Sequence, residues 1–140
     1  MVKWLGIGIG LVLVVVGGRY YFSLRETASQ SDHDLSPGSG RYVEYSSEAF
    51  AEATDARRVL YFFAPWCSTC RPTDAEFTAQ ADQIPPNVIL FRVNYDTETK
   101  LKQKYNITYQ HTFVQVSKNG DEVAKWNGGG MVDLLANLKP

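Results

Sequence analysis

Tyr61-Phe62-Phe63-Ala64-Pro65-Trp66-Cys67-Ser68-Thr69-Cys70 reads as a buried strand, a turn and the start of a helix. The apolar run Val59 to Phe63 is of strand type. Beyond the turn, Arg71 to Ile84 sets Ala75, Phe77, Ala79 and Ala81 among polar residues, a helical reading that Pro85-Pro86 ends. Cys67 and Cys70 are the two cysteines of the chain, and this context puts both thiols in the helix's first turn. Free backbone N–H groups and the helix dipole stabilise an anion there, so Cys67 is expected to be richer in thiolate than a free cysteine. A second sulfur at this spacing can attack a mixed disulfide held on the first. Cys67 is therefore the expected nucleophile and Cys70 the expected resolver. Two cysteines are too few for a disulfide scaffold, and a structural zinc site needs more ligands.

Working outward, Tyr42 to Tyr45 is a short strand candidate, and Glu48 to Ala56 reads as a helix opened by Ser46 or Ser47 as N-cap. Val88 to Val93 is another strand, broken only by Arg92. Thr97 to Tyr105 is a short charged helix with Leu101 and Tyr105 on one face. Phe113 to Val116 gives the next strand, Asn119-Gly120 a hairpin turn, and Val123 to Trp126 the returning strand. Gly128 to Gly130 leads into a last amphipathic helix with Met131, Val132, Leu134, Leu135 and Leu138. The order β-α-β-α-β-α-β-β-α implies an α/β fold, a mixed central sheet flanked by helices on both faces.

From Tyr45 onward the sequence resembles the thioredoxin superfamily, through Ala64-Pro65-Trp66-Cys67-Ser68-Thr69-Cys70 and a run of downstream matches. Asp96, Tyr105 and Lys118-Asn119-Gly120 fall where thioredoxin-like chains carry an acidic residue after the third strand, an aromatic before the active-site loop, and the hairpin turn. The resemblance implies a thioredoxin-like fold and thiol-disulfide exchange with protein substrates, with Cys67 and Cys70 catalytic. It also implies a substrate groove bordered by Trp66, Gln110, His111 and Gly128. No cofactor is implied.

Three positions depart from the family pattern. His111 stands before Thr112, where the family carries a cis-proline facing the disulfide. A cis bond before His costs about 2.5–4 kcal/mol, so Gln110-His111 is expected to be trans, and His111→Pro to restore a family-like loop. Tyr61 stands where many thioredoxins bury an aspartate that helps move the resolving cysteine's proton, so resolution is expected to be slower or to use Tyr61 or water. Pro72 comes earlier than the family's helix proline, which is tolerable near a helix start. His111 itself has two readings: a partly buried residue satisfied by a backbone carbonyl, or a group near Cys67 that stabilises the thiolate or completes a Cys-Cys-His metal set. The sequon Asn106-Ile107-Thr108 reads as incidental.

Between Lys3 and Arg19 lie 15 uncharged residues, Trp4 to Gly18. As a helix they cover only about 22 Å of a bilayer core of about 30 Å, so a spanning helix must borrow Tyr20, Tyr21, Phe22 and Leu24, with Arg19 snorkelling. The rival is a cleaved signal peptide, but small residues are missing where cleavage needs them. The expected organisation is an anchor over residues 1–24, a Ser/Asp/Gly/Pro tether over 25–40, and a thioredoxin-like domain over 41–140. His33 between Asp32 and Asp34 reads as solvated within the tether. Lys plus Arg total 14 against 15 Asp plus Glu. No basic face is indicated, so nucleic acid is not an expected partner. Together these features point to a single-pass membrane protein whose domain, on the extracytoplasmic side, exchanges disulfides with protein thiols and a redox partner. The alternative is a metal-binding carrier or redox-inactive adaptor using Cys67, Cys70 and His111.

Overall fold

A computed structural model of the protein describes residues 40–140. The anchor expected over 1–24 and, but for Gly40, the tether expected over 25–40 lie outside them. Among the described residues, no helix is long and apolar enough to cross a membrane. The chain runs β1 (Tyr42–Glu44), α1 (Ser47–Glu52), β2 (Arg57–Phe63), α2 (Cys70–Ala79), a 3-10 turn (Ala81–Gln83), β3 (Val88–Asn94), α3 (Thr99–Lys104), β4 (Thr112–Val116), β5 (Glu122–Asn127) and α4 (Met131–Asn137). This is the order the sequence predicts.

The five strands form one sheet in the order β1-β3-β2-β4-β5. β1, β3 and β2 are mutually parallel; β4 runs antiparallel to both β2 and β5. β2 is apolar at nearly every position because side chains alternate between two faces that are both covered. Val59, Tyr61 and Phe63 pack with Phe77 of α2 and with Met131 and Leu134 of α4. Leu60 and Phe62 pack on the opposite face with Phe91, Val93 and Val114, closed by Phe50 of α1 and Leu101 of α3. Phe62, Phe77, Phe91 and Phe113 are fully buried, and burying each side chain contributes about 1.5–3 kcal/mol.

The helix ends differ from the expected ones for local reasons. Ser46 accepts the Ala49 N–H and caps α1, but the helix stops before Thr54-Asp55, poor helix formers. α2 gives way to the 3-10 turn, and Ile84 is extended, as a residue before proline must be. Asn94 Oδ1 accepts the N–H groups of Asp96 and Thr97, so α3 begins only at Thr99. The β4–β5 connection is a five-residue loop, longer than a tight Asn-Gly turn. The Ser117 hydroxyl takes the N–H groups of Asn119 and Asp121, and only Gly120 needs a positive φ, 79°. Tyr105 donates to the Gly120 carbonyl and fixes this loop to the end of α3. Asn106, the first sequon residue, takes φ 49° just past α3, a left-handed conformation that Asn tolerates after a helix.

The central strand opens with two arginines, of which Arg58 is buried. Its guanidinium lies over the Phe50 ring and donates to the carbonyls of Phe50, Ser117 and Lys118, tying α1 and the hairpin loop to β2. Arg58→Met keeps the stem volume but leaves these carbonyls without their donor. It is expected to lower stability by about 2–4 kcal/mol, measured by urea denaturation followed by fluorescence; an unchanged midpoint would show that the three bonds contribute nothing net.

Candidate active site

Cys67 and Cys70 are joined in a disulfide, with their Cα atoms 5.2 Å apart, at the junction of the β2 loop and α2. Only Cys70 is helical. Cys67 lies in the turn before α2, closed by its own N–H donating to the Ala64 carbonyl at 3.1 Å, which corrects the expectation that both thiols sit in the first helical turn. The electrostatic consequence survives the correction. Cys67 Sγ accepts the Cys70 N–H at 3.1 Å, and the Cys67 carbonyl accepts the Arg71 N–H at 3.3 Å, so the unpaired donors of the helix end converge on this residue. Cys67 keeps 4% of its surface exposed and Cys70 none. The sulfur at the helix N-terminus is thus the one a substrate can reach.

His111 stands at the mouth of β4 with φ 58°. Its N–H donates to the Phe62 carbonyl, and its own carbonyl accepts the Gly128 N–H, both at 2.8 Å. The Gln110-His111 bond is trans, as expected; no cis peptide occurs among the described residues. The expected rescue by His111→Pro is overturned, because proline can neither take a positive φ nor donate to Phe62. The ring is buried, 7% exposed. Nε2 lies 2.9 Å from the Gly129 carbonyl, and Nδ1 lies 2.9 Å from Thr69 Oγ1, which is itself 3.4 Å from Cys67 Sγ. Both sequence readings of His111 are thus partly met: a backbone carbonyl lies at one nitrogen, and the other reaches toward Cys67 Sγ through the Thr69 hydroxyl.

Beneath His111 runs an aromatic ladder. Tyr61, Phe113 and Trp126 are register partners across β2, β4 and β5, stacked with centroids 4.5 and 5.2 Å apart, and the His111 ring meets Tyr61 edge-on at 5.6 Å. Tyr61 donates to the Cys70 carbonyl at 3.1 Å. Burial, reinforced by the Asp74 carboxylate, pushes its phenol above the usual tyrosine range. It holds the α2 start in place, and near neutral pH it is no proton acceptor for Cys70, which corrects one expectation for this position.

Beside the disulfide lies a cleft of ≈ 520 Å³ lined by Ser68, Thr69, Pro72, His111, Gly128 and Gly129 among others. Of the groove residues expected from sequence, His111 and Gly128 line it. Trp66 sits on the other flank, 59% exposed, its indole N–H donating to the Asp96 carboxylate at 3.0 and 3.2 Å. Gln110 does not line the cleft; its carbonyl accepts from Asn127 Nδ2 at 3.2 Å. Thr69 and Asn127 went unnoticed in the sequence. Asn127 braces the loop, donating also toward the His111 carbonyl and Thr112 Oγ1. The only sequence signal for Thr69 is its place between the cysteines.

Cys67, Cys70 and His111 bring three donor atoms within 4.8 Å of one another. Two of these atoms share the disulfide bond and both imidazole nitrogens have other partners, so as arranged the set is no metal centre.

The thioredoxin family model matches residues 42–139. Protein disulfide-isomerase A3 of Gallus gallus is 28% identical over 75% of this chain and 21% of its own length, so the chain spans about a fifth of that curated relative. Among solved structures, thioredoxin of Malassezia sympodialis superposes with a TM-score of 0.57 at 28% identity, covering 76% of this chain and 94% of its own. Fasciola hepatica thioredoxin gives 0.56 at 28% identity, covering 68% and 93%. With its sheet order, its Trp-Cys-Ser-Thr-Cys turn at the head of α2 and a family match over nearly all of the described residues, the chain belongs to the thioredoxin family.

Proposed function

We propose that this chain is a membrane-tethered thiol-disulfide oxidoreductase that exchanges disulfides with protein substrates through Cys67 and Cys70. The observation that carries the exchange chemistry is the Cys67–Cys70 disulfide at the start of α2, with Cys67 the more exposed of the two and a cleft lined by Ser68 and Thr69 beside it. In the reducing direction, Cys67 attacks a substrate disulfide and releases one substrate thiolate. Cys70 then attacks the mixed disulfide, releases the second thiolate and closes the Cys67–Cys70 bond. The oxidising direction is the reverse. The exposed Trp66 and the Gly128-Gly129 edge flank the sulfurs, a setting for an extended polypeptide.

The tether reading rests on the apolar run Trp4 to Gly18 with Tyr20 to Leu24. It gives an anchor over residues 1–24 and a linker over 25–40 ahead of a domain at 41–140, held on the extracytoplasmic side.

Limited iodoacetamide treatment of the reduced protein is expected to label Cys67 at least about tenfold faster than Cys70. Cys70→Ser is expected to accumulate mixed disulfides on Cys67, read on non-reducing gels of an envelope extract, whereas Cys67→Ser abolishes insulin disulfide turnover. A reduced protein that turns over no disulfide yet binds one equivalent of copper or zinc would overturn the assignment in favour of a carrier.

The full-length protein is expected to stay with the membrane pellet through alkaline carbonate washing, its N-terminus intact by sequencing. A soluble product beginning beyond Gly18 would instead identify the segment as a cleaved signal.

A further inference from the structure

We propose that Thr69 and His111 form a proton relay for the attacking sulfur, in which the Cys67 thiol proton is taken up through the Thr69 hydroxyl onto Nδ1 of His111. The inference rests on the oxidoreductase reading above. Its first support is what Thr69 does not do. Thr69 occupies the N-cap position of α2, where a threonine hydroxyl ordinarily accepts an N–H of the first turn, yet it makes no such bond. The capping is carried by Cys67, through Sγ to the Cys70 N–H and through its carbonyl to the Arg71 N–H. The hydroxyl is left to bridge Cys67 Sγ, at 3.4 Å, and His111 Nδ1, at 2.9 Å.

The second support is the tautomer. A carbonyl only accepts, so the 2.9 Å contact with Gly129 requires a hydrogen on Nε2 of His111. In the neutral ring Nδ1 is then the acceptor, and Thr69 must donate to it. With its hydrogen so directed, the Thr69 oxygen offers its lone pairs to the Cys67 thiol. The third support is restraint: the His111 backbone is bonded on both sides, to Phe62 and Gly128, and its ring lies against Tyr61 and Phe113. The imidazole is therefore held at hydroxyl distance from the site.

In the reduced protein the thiol proton passes to the Thr69 oxygen as the Thr69 proton passes to Nδ1. One proton moves net, leaving a Cys67 thiolate, a neutral Thr69 and an imidazolium whose other N–H stays on Gly129. The thiolate attacks the substrate disulfide, the enzyme dithiol becomes a disulfide, and the two protons it gives up end on the two substrate thiols. Thr69 touches the reacting sulfur and is catalytic; His111 acts through it as a positioning residue. The other ionisable groups around them are Cys70 and Tyr61 beneath, Asp96 beyond Trp66, and Glu76 and Asp133 at the start of α4. Among the described residues none of their side chains bonds to Thr69 or His111.

The test is the pH dependence of Cys67 alkylation by iodoacetamide in the reduced full-length protein, followed by mass spectrometry. Insulin disulfide turnover is measured on the same samples. Thr69 is solvent-exposed, so Thr69→Val leaves the core intact, and Asn tolerates the left-handed backbone at position 111. Thr69→Val and His111→Asn are each expected to slow alkylation at pH 6 by about tenfold or more, while rates converge at pH 9, where thiolate forms without help. Thr69→Ser is expected to keep the wild-type profile. An unchanged profile in Thr69→Val overturns the relay whatever His111→Asn does. So does a Thr69→Ser profile as impaired as that of Val, because the effect is then packing. A wild-type protein without turnover sinks the oxidoreductase reading, and the alkylation profiles still decide the relay.

Discussion

The site depends on one backbone constraint, the left-handed turn at His111. Because φ there is 58°, the residue faces two ways: its N–H reaches back to Phe62 on β2 and its carbonyl reaches forward to Gly128 after β5. The two strands flanking β4 are thereby closed over the end of the sheet, and the 127–129 segment is pulled down beside the disulfide. Asn127 reinforces the closure from its side chain, and Gly129 turns its carbonyl onto the imidazole. A proline, the family's residue here, would remove the first of these bonds. The loop in this chain is therefore an alternative construction held by hydrogen bonds, rather than the family loop with one side chain exchanged.

How much of this could be read from sequence follows from the range of each interaction. The sheet and its helices were legible because apolar alternation, prolines and glycines act within a few residues: Val59 to Phe63 is a central strand wherever both faces are covered, and Pro85-Pro86 must end a helix. The start of α3 and the β4–β5 loop were less legible, since Asn94 and Ser117 take backbone N–H groups that the residue pattern alone assigns elsewhere. The cysteine pair was legible as a local motif. Thr69 was not, because its rotamer is decided by a partner 42 residues away in sequence. Only the folded structure puts this threonine at the N-cap of α2 and shows the capping already supplied by Cys67.

The same distinction separates Trp66 from the cleft. The motif places it next to the cysteine, and the resemblance assigns it to the substrate groove, but its indole is held by Asp96 on the flank opposite His111. A substrate strand lying over Cys67 therefore meets two unlike walls. One is aromatic and exposed, carried by a side chain. The other joins the side chains of Ser68, Thr69, Pro72 and His111 to an edge of glycines whose positive φ values, 77° at Gly128 and 88° at Gly129, keep it low.

Tyr61 governs the surroundings of the second sulfur. An acid buried beneath the resolving cysteine can take its proton; a phenol there, held on the Cys70 carbonyl and pushed up by burial, gives structure without basicity. The aromatic ladder through Phe113 and Trp126 favours that exchange, since a buried carboxylate would interrupt the stack and demand its own partners. The imidazole lies on top of the ladder, and its Nδ1 is linked through Thr69 to Cys67 rather than to Cys70. On the proposed relay, the proton acceptor stands beside Cys67 instead of below Cys70, where the family pattern puts a carboxylate. Cys70 is fully buried, and the group beneath it is a phenol that fixes the start of α2 rather than a carboxylate.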